Sequence, residues 1–249
     1  MAQLFLKTGT ELKYTKELTL TELANSLQTD KGTLAREFLT WAPAFPSHAS
    51  WHYTPVYEKY MEPYRSGKKV KFMEIGICDQ RFPFASPKMW LQYFKNIELY
   101  SVDNFWGHPF TPDRITEILN IGTNFIYADQ GSSEDWDFIV NEIGKNSIDF
   151  IVEDGSHYPH HVMYSLYRSI DLLKPGGYYF MEDIQNPLKS RGWYGYDNAN
   201  VLLEFQNWDS YASAYLTQEM ANDIKSNYEL VEIVSDPDEI NYLIVFKKL

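Results

Sequence analysis

The chain has 249 residues, of which 44% are hydrophobic and 16% aromatic, enough to bury a sizeable core, so disorder and a disulfide-dependent miniprotein are both excluded. Its 34 acidic against 22 basic residues leave a net charge of −12, which repels a nucleic-acid backbone, and no Lys/Arg run goes beyond Lys68, Lys69 and Lys71. One cysteine, Cys78, cannot form an internal disulfide, and the absence of a secretory h-region or an 18-residue apolar run argues for a cytoplasmic protein with no membrane partner.

In chain order, Thr19 and Glu22 form a capping box that predicts a helix to about Gln28, and Thr54-Pro55 opens another to about Arg65. Residues 1–69 therefore read as a helical N-terminal extension packed over a sheet. From residue 70 to 249 the signal becomes a single larger domain. Short apolar runs at 70–76, 98–103, 123–129, 147–154 and 177–183 read as strands. Helices between them are opened by Ser86-Pro87, Thr111-Pro112 and Ser133, and a fourth covers about His160–Leu173, stopped by Lys174-Pro175-Gly176-Gly177. A helical segment near 210–225 precedes two last runs at 228–234 and 240–246, separated by a turn at Ser235-Asp236-Pro237-Asp238.

This alternation predicts an α/β, Rossmann-like parallel sheet with helices on both faces and an antiparallel last strand, binding ligands at the carboxyl ends of its strands. An acidic residue stands at the end of each of the five parallel runs. The first strand-to-helix turn, Glu74-Ile75-Gly76-Ile77-Cys78-Asp79, has one glycine where a dinucleotide fingerprint needs three, and Asp79 would repel a pyrophosphate. An adenosine carrying an amino-acid tail fits better: Asp103 suits the ribose diol, Asp129-Gln130 the adenine amino group, and Glu74 with Gly76 the tail. A solvated strand-end carboxylate is the plain alternative for each taken alone.

The densest constellation is Glu153-Asp154-Gly155-Ser156-His157 followed by Met181-Glu182-Asp183. Asp154, Glu182 and Asp183 on neighbouring strand tips would repel one another unless a cation or a proton intervenes; a divalent metal is the economical solution, and hard oxygen ligands favour Mg²⁺, Mn²⁺ or Ca²⁺. His157 is placed to remove a hydroxyl proton in the same cleft, with a helix-capping or metal-ligating role as its alternative. His160 and His161 are expected to shape the rim.

With these residues in view, the chain resembles the class I S-adenosylmethionine-dependent sugar O-methyltransferases, a group that includes macrolide-sugar and capsule-heptose enzymes. The matching pieces are Thr29-Asp30-Lys31-Gly32, His52-Tyr53-Thr54-Pro55-Val56-Tyr57-Glu58, Phe72–Gly76, Lys88-Met89-Trp90, Ser101-Val102-Asp103, Asp129-Gln130, Glu153–His157 and Lys174–Gly177 through Glu182-Asp183. The resemblance implies S-adenosyl-L-methionine as cofactor, Mg²⁺ (or Mn²⁺) on Asp154, Glu182 and Asp183, and catalysis by His157 and Asp154. It also implies that Thr29, Lys31, His52 and Tyr53 cover the cofactor or substrate. One departure is Arg81-Phe82-Pro83-Phe84-Ala85 in place of the glycine-rich loop usual before Lys-Met-Trp, which puts cofactor contacts there in question.

The acceptor expected is a nucleotide-activated bacterial sugar, with GDP-heptose of capsular polysaccharide synthesis as the sharpest form. A sugar on a macrolide-type natural product is the alternative. Aromatics at Trp193, Tyr194 and Tyr196 could stack on a sugar or base. Two other classes remain open, a metal-assisted hydrolase and a catalytically inactive adenosine-binding module. A homo-oligomer is compatible with the chain.

Overall fold

The computed structural model describes residues 1–9, 12–29, 31, 53–77, 84–105, 111–186, 199–236, 239 and 241–249. The expectations placed on His52, Cys78–Pro83 and Trp193–Tyr196 lie outside the described residues.

Among the described residues, eight strands form one sheet: β1 (Gln3–Phe5), β2 (Val70–Ile75), β3 (Ile97–Asp103), β4 (Asn124–Tyr127), β5 (Ile148–Glu153), β6 (Leu173–Gln185), β7 (Tyr228–Ser235) and β8 (Asn241–Lys248), in the spatial order β1-β4-β3-β2-β5-β6-β8-β7. The neighbours from β4 to β6 are parallel, whereas β8 runs antiparallel to both β6 and β7. This is the α/β fold with an antiparallel last strand that the alternation predicts. The sequence pattern does not foresee β1, which pairs antiparallel with β4, so the N-terminal region is not wholly helical.

The helices are α1 (Leu20–Ser26), α2 (Tyr53–Met61), α3 (Ala85–Tyr93), α4 (Pro112–Asn120), α5 (Ser133–Ile143), α6 (Pro159–Leu172), α7 (Ala199–Gln206) and α8 (Gln218–Asn227). Thr19 and Glu22 close the capping box of α1 reciprocally, at 3.1 Å from the Glu22 amide to the Thr19 hydroxyl and 2.7 Å from the Thr19 amide to the Glu22 carboxylate. Thr111 caps α4 ahead of Pro112 as expected. Three starts differ. Phe84, with φ +59, precedes α3, so Ser86 lies inside the helix; Ser132 rather than Ser133 caps α5; and α2 begins at Tyr53, where Thr54 bonds Thr21 at 2.9 Å. The helical segment expected near 210–225 is found as α8, which starts later, after its cap Thr217; α7 and a short 3-10 turn at Trp208–Ser210 precede it and have no counterpart in the sequence reading.

Successive strand residues feed opposite faces of the sheet. Met73, Ile151, Met181 and Ile244 join the core beneath α5 to α8, while Phe72, Phe150, Phe180 and Val245 join α1, α2 and α3. Because both faces are covered, the parallel strands are mainly apolar, and an acidic group stands at or just beyond each C-terminal tip. The chain passes from β2 through β3 to β4 on one side, then restarts with β5 and β6 on the other. The tips of β2 and β5 thus form the switch point, where a doubly wound sheet opens a crevice.

Candidate active site at the strand tips

Gly76 ends β2 with φ +82, and a Cβ there would lie 1.9 Å from the Asp154 carbonyl oxygen. Only glycine combines that backbone conformation with so close an approach. The contact ties the first strand-to-helix turn to the loop after β5, reinforced by the 2.9 Å bond from the Asp154 amide to the Ile75 carbonyl.

On that loop and the neighbouring tip, Asp154, His157 and Asp183 each offer a ligand atom, all within 4.8 Å of one another. His157 Nε2 stands 3.8 Å from Asp154 Oδ1 and 3.9 Å from Asp183 Oδ2. All three side chains are mostly covered, and both His157 (φ +57) and Asp183 (φ +55) hold the left-handed conformation. Non-glycine residues rarely adopt it without surrounding structure that compels them, and such positions gather at functional sites. Burial, with Asp154 nearby, pushes the Asp183 carboxyl above its usual range, while His157 and the Tyr53 hydrogen bond oppose the shift.

Consecutive residues of a strand normally point to opposite faces. The β6–β8 pairing shifts register between Met181 and Ile184, and at this irregular step Glu182 and Asp183 both meet α2. Tyr53 donates to Asp183 Oδ1 at 2.8 Å, and Tyr57, one helical turn later, donates to Glu182. Burial first, and then the carboxylates, raise both phenols well above their ordinary pKa, which keeps them neutral donors.

Glu182 departs from the expected ligand set. Its two oxygens accept from Lys31 Nζ at 2.9 and 3.0 Å, and it stands apart from the Asp154–His157–Asp183 group. Lys31, expected on the cofactor or substrate, is buried beneath the tips, bonding Asp154 Oδ2 at 2.7 Å and lying 3.8 Å from Glu74 Oε1. Thr29, also buried, accepts from the Lys31 amide at 3.2 Å and so shapes the turn that delivers this ammonium.

Glu74 is fully buried and accepts from Trp90 Nε1 at 3.0 Å. Burial raises its pKa to about 7 despite opposition from Lys31 and from hydrogen bonds with Trp90 and Ser86. Asp103 accepts from the Ile77 amide at 2.9 Å and the Phe105 amide at 2.5 Å, which fixes its carboxylate at the β3 tip. Asp129 is exposed beyond β4 and accepts from the Gly131 amide at 2.8 Å.

Gln130, expected to read an adenine edge, turns inward. Its amide nitrogen donates to Glu153 Oε1 at 2.9 Å, and its oxygen accepts from the Ser156 amide at 2.7 Å. A Cβ on Gly155 would fall 1.9 Å from that oxygen, so the Gly155-Ser156 step is shaped to fit the bridge. His161 Nδ1 pairs with Ser156 Oγ at 2.8 Å, and burial lowers its pKa. The loop that carries His157 is thereby tied on both sides.

Two residues of the site, Tyr57 and Trp90, have no role that the sequence pattern alone suggests. Both stand within the stretches that carry the family resemblance, and the packing of α2 and α3 converts the helical spacing of Tyr53 with Tyr57, and the Trp90 indole, into contacts.

The sheet order and the antiparallel β8 define a Rossmann-like class I methyltransferase fold. No protein-family profile matches the chain. The 8-demethyl-8-alpha-L-rhamnosyl tetracenomycin-C 2'-O-methyltransferase of Streptomyces olivaceus is 31% identical over 136 residues, covering 53% of this chain and 33% of that protein. The mycinamicin VI 2''-O-methyltransferase of Micromonospora griseorubida is 30% identical over 135 residues, covering 53% and 31%. This chain spans about a third of the length of these curated relatives. Among solved structures, the MycE methyltransferase of the mycinamycin biosynthetic pathway, in complex with Mg and SAH, superposes with a TM-score of 0.60 at 19% identity, over 94% of this chain and 56% of that one. A second structure of MycE also holds mycinamycin VI.

Proposed function

We propose that the protein is an S-adenosylmethionine- and divalent-cation-dependent O-methyltransferase acting on a sugar hydroxyl. The observation that carries this reading is the meeting of Asp154, His157 and Asp183 at the switch point, beside Gly76 and Asp103. The donor set fits a hard cation, because the Asp154 and Asp183 carboxylates converge there with no thiolate among them. Asp154 and Asp183 would hold Mg²⁺ or Mn²⁺. Glu74 and Gly76 would face the amino-acid tail of the nucleoside, Asp103 its ribose and Asp129 its adenine.

When bound, S-adenosylmethionine supplies a methyl group on a sulfonium, and the cation supplies Lewis-acid polarisation of the acceptor hydroxyl. The chain contributes orientation and proton handling. His157 Nε2 would take the proton of the acceptor hydroxyl as that oxygen is methylated. The resulting imidazolium lies 3.8 and 3.9 Å from two carboxylates that stabilise its charge. Tyr53 holds Asp183 in place, and the Gln130–Ser156–His161 bridge holds the loop bearing His157.

For the acceptor, the relatives support a sugar already joined to a polyketide-type aglycone over GDP-heptose, since both are named for such glycosides. The test is incubation with S-adenosylmethionine and Mg²⁺ against a rhamnosylated polyketide, a macrolide glycoside and GDP-heptose, read by mass spectrometry. A gain of one CH₂ on a glycoside supports the proposal, and a gain on GDP-heptose alone moves the acceptor back to nucleotide sugars. Hydrolysis without methylation, or binding of S-adenosylhomocysteine with no methylation of any sugar, replaces it with the hydrolase or binding-module reading.

A further inference from the structure

Lys31 carries its charge where charge is most expensive. The side chain is 1% exposed, and its ammonium bonds Asp154 Oδ2 at 2.7 Å and both oxygens of Glu182, with Glu74 Oε1 at 3.8 Å. An ammonium buried to this degree persists only when carboxylates compensate it, and the same holds for the carboxylates. Asp154 is the hinge of the arrangement. Its Oδ2 belongs to the ammonium, while Oδ1 faces His157 in the group that can take a cation.

A divalent cation and an ammonium that draw on the same carboxylates repel each other in a poorly solvated cleft. Resting on the reading that Asp154 and Asp183 take such a cation, we propose that Lys31 is an exchangeable internal counter-ion. It holds Asp154 and Glu182 in the ion-free protein, and a divalent cation recruits Glu182 by displacing the ammonium into the cleft. The site then never presents three uncompensated carboxylates, and cation binding and the Lys31 position are coupled with equal force in both directions. Lys31 acts through Asp154 and Glu182 as a positioning residue. Its covalent chemistry is not engaged.

The experiment uses the full chain with Mn²⁺ alone as probe. Lysines are acylated with an amine-reactive reagent in chelator and in saturating Mn²⁺, and labelling is quantified by peptide mass spectrometry, with the exposed Lys145 as internal reference. Lys31 is expected to be protected in chelator and to become labelled several-fold faster with Mn²⁺. In parallel, Mn²⁺ binding is titrated by electron paramagnetic resonance on the wild type, Lys31→Met and Lys31→Arg. Lys31→Met is expected to bind Mn²⁺ about tenfold more tightly, and Lys31→Arg close to the wild type. Unchanged protection of Lys31 in protein that has bound Mn²⁺, or equal or weaker binding by folded Lys31→Met, overturns the inference and leaves the cation site standing. Failure of the wild type to bind Mn²⁺ overturns the cation site as well. Should Lys31→Met fail to fold, wild-type labelling decides.

Discussion

His157 and Asp183 face each other across two strand tips, imidazole Nε2 3.9 Å from carboxylate Oδ2, and each holds a left-handed backbone, at φ +57 and +55. Two such residues in one contact concentrate conformational cost at the place where the side chains must converge. Asp183→Asn keeps a residue type that tolerates this conformation and removes the charge. It is expected to fold normally and to bind Mn²⁺ at least tenfold more weakly by calorimetry. Asp183→Val is expected to lose about 1–2 kcal/mol in a urea titration from backbone strain as well.

His157→Ala separates base from ligand. If the imidazole removes the proton, turnover falls about 10²–10⁴-fold while Mn²⁺ affinity changes little. A parallel collapse of Mn²⁺ binding would assign His157 to the cation instead.

Gly76→Ala tests the contact between the tips of β2 and β5. With φ +82 and the Asp154 carbonyl 1.9 Å from the new Cβ, the backbone must move. A loss on the order of 2 kcal/mol or more is expected by chemical denaturation. S-adenosylhomocysteine binding is expected to weaken in the protein that remains folded, and wild-type stability with wild-type binding would show that the close approach is dispensable.

Gln130→Leu removes the bridge between Glu153 and the Ser156 amide. The Ser156 amide loses its acceptor, while Glu153 Oε1 keeps only the 3.2 Å bond from the Gly155 amide, at a cost of roughly 1–3 kcal/mol by general experience. The expected result is a lower melting temperature together with reduced kcat, since the loop bearing His157 loses one of its ties. A change in KM for the cofactor with kcat intact would instead return Gln130 to the adenine-reading role.

Glu74 sets a pH dependence. Its pKa in the folded protein, about 7, exceeds the unfolded carboxylate value, so between roughly pH 4.5 and 7 the folded state binds more protons than the unfolded state. Its contribution to stability therefore falls as pH rises through that window and is constant above it. Glu74→Gln is expected to flatten this part of a stability–pH curve measured in urea at fixed ionic strength.

The chain's own order of residues determined the alternation of strands and helices, the capping box at Thr19 and Glu22, the cap at Thr111, and the acidic residue at each parallel strand tip. These depend on periodicity and on hydrogen bonds within a few residues, so they are legible without a partner. The same local logic misplaced the starts of α3 and α5, where a neighbouring residue supplied the turn or the cap, and passed over the three-residue β1, too short for any period to register. Only the tertiary structure decided which carboxylate meets which cation. Lys31 reaches Asp154 and Glu182 across 123 and 151 positions, and Gln130 reaches Glu153 across 23. A burial cost is settled by whichever opposite charge or donor the packing brings nearest. That is why Glu182 turned to Lys31 and Tyr57, while Asp154, shared with Lys31, and Asp183, held by Tyr53, meet His157.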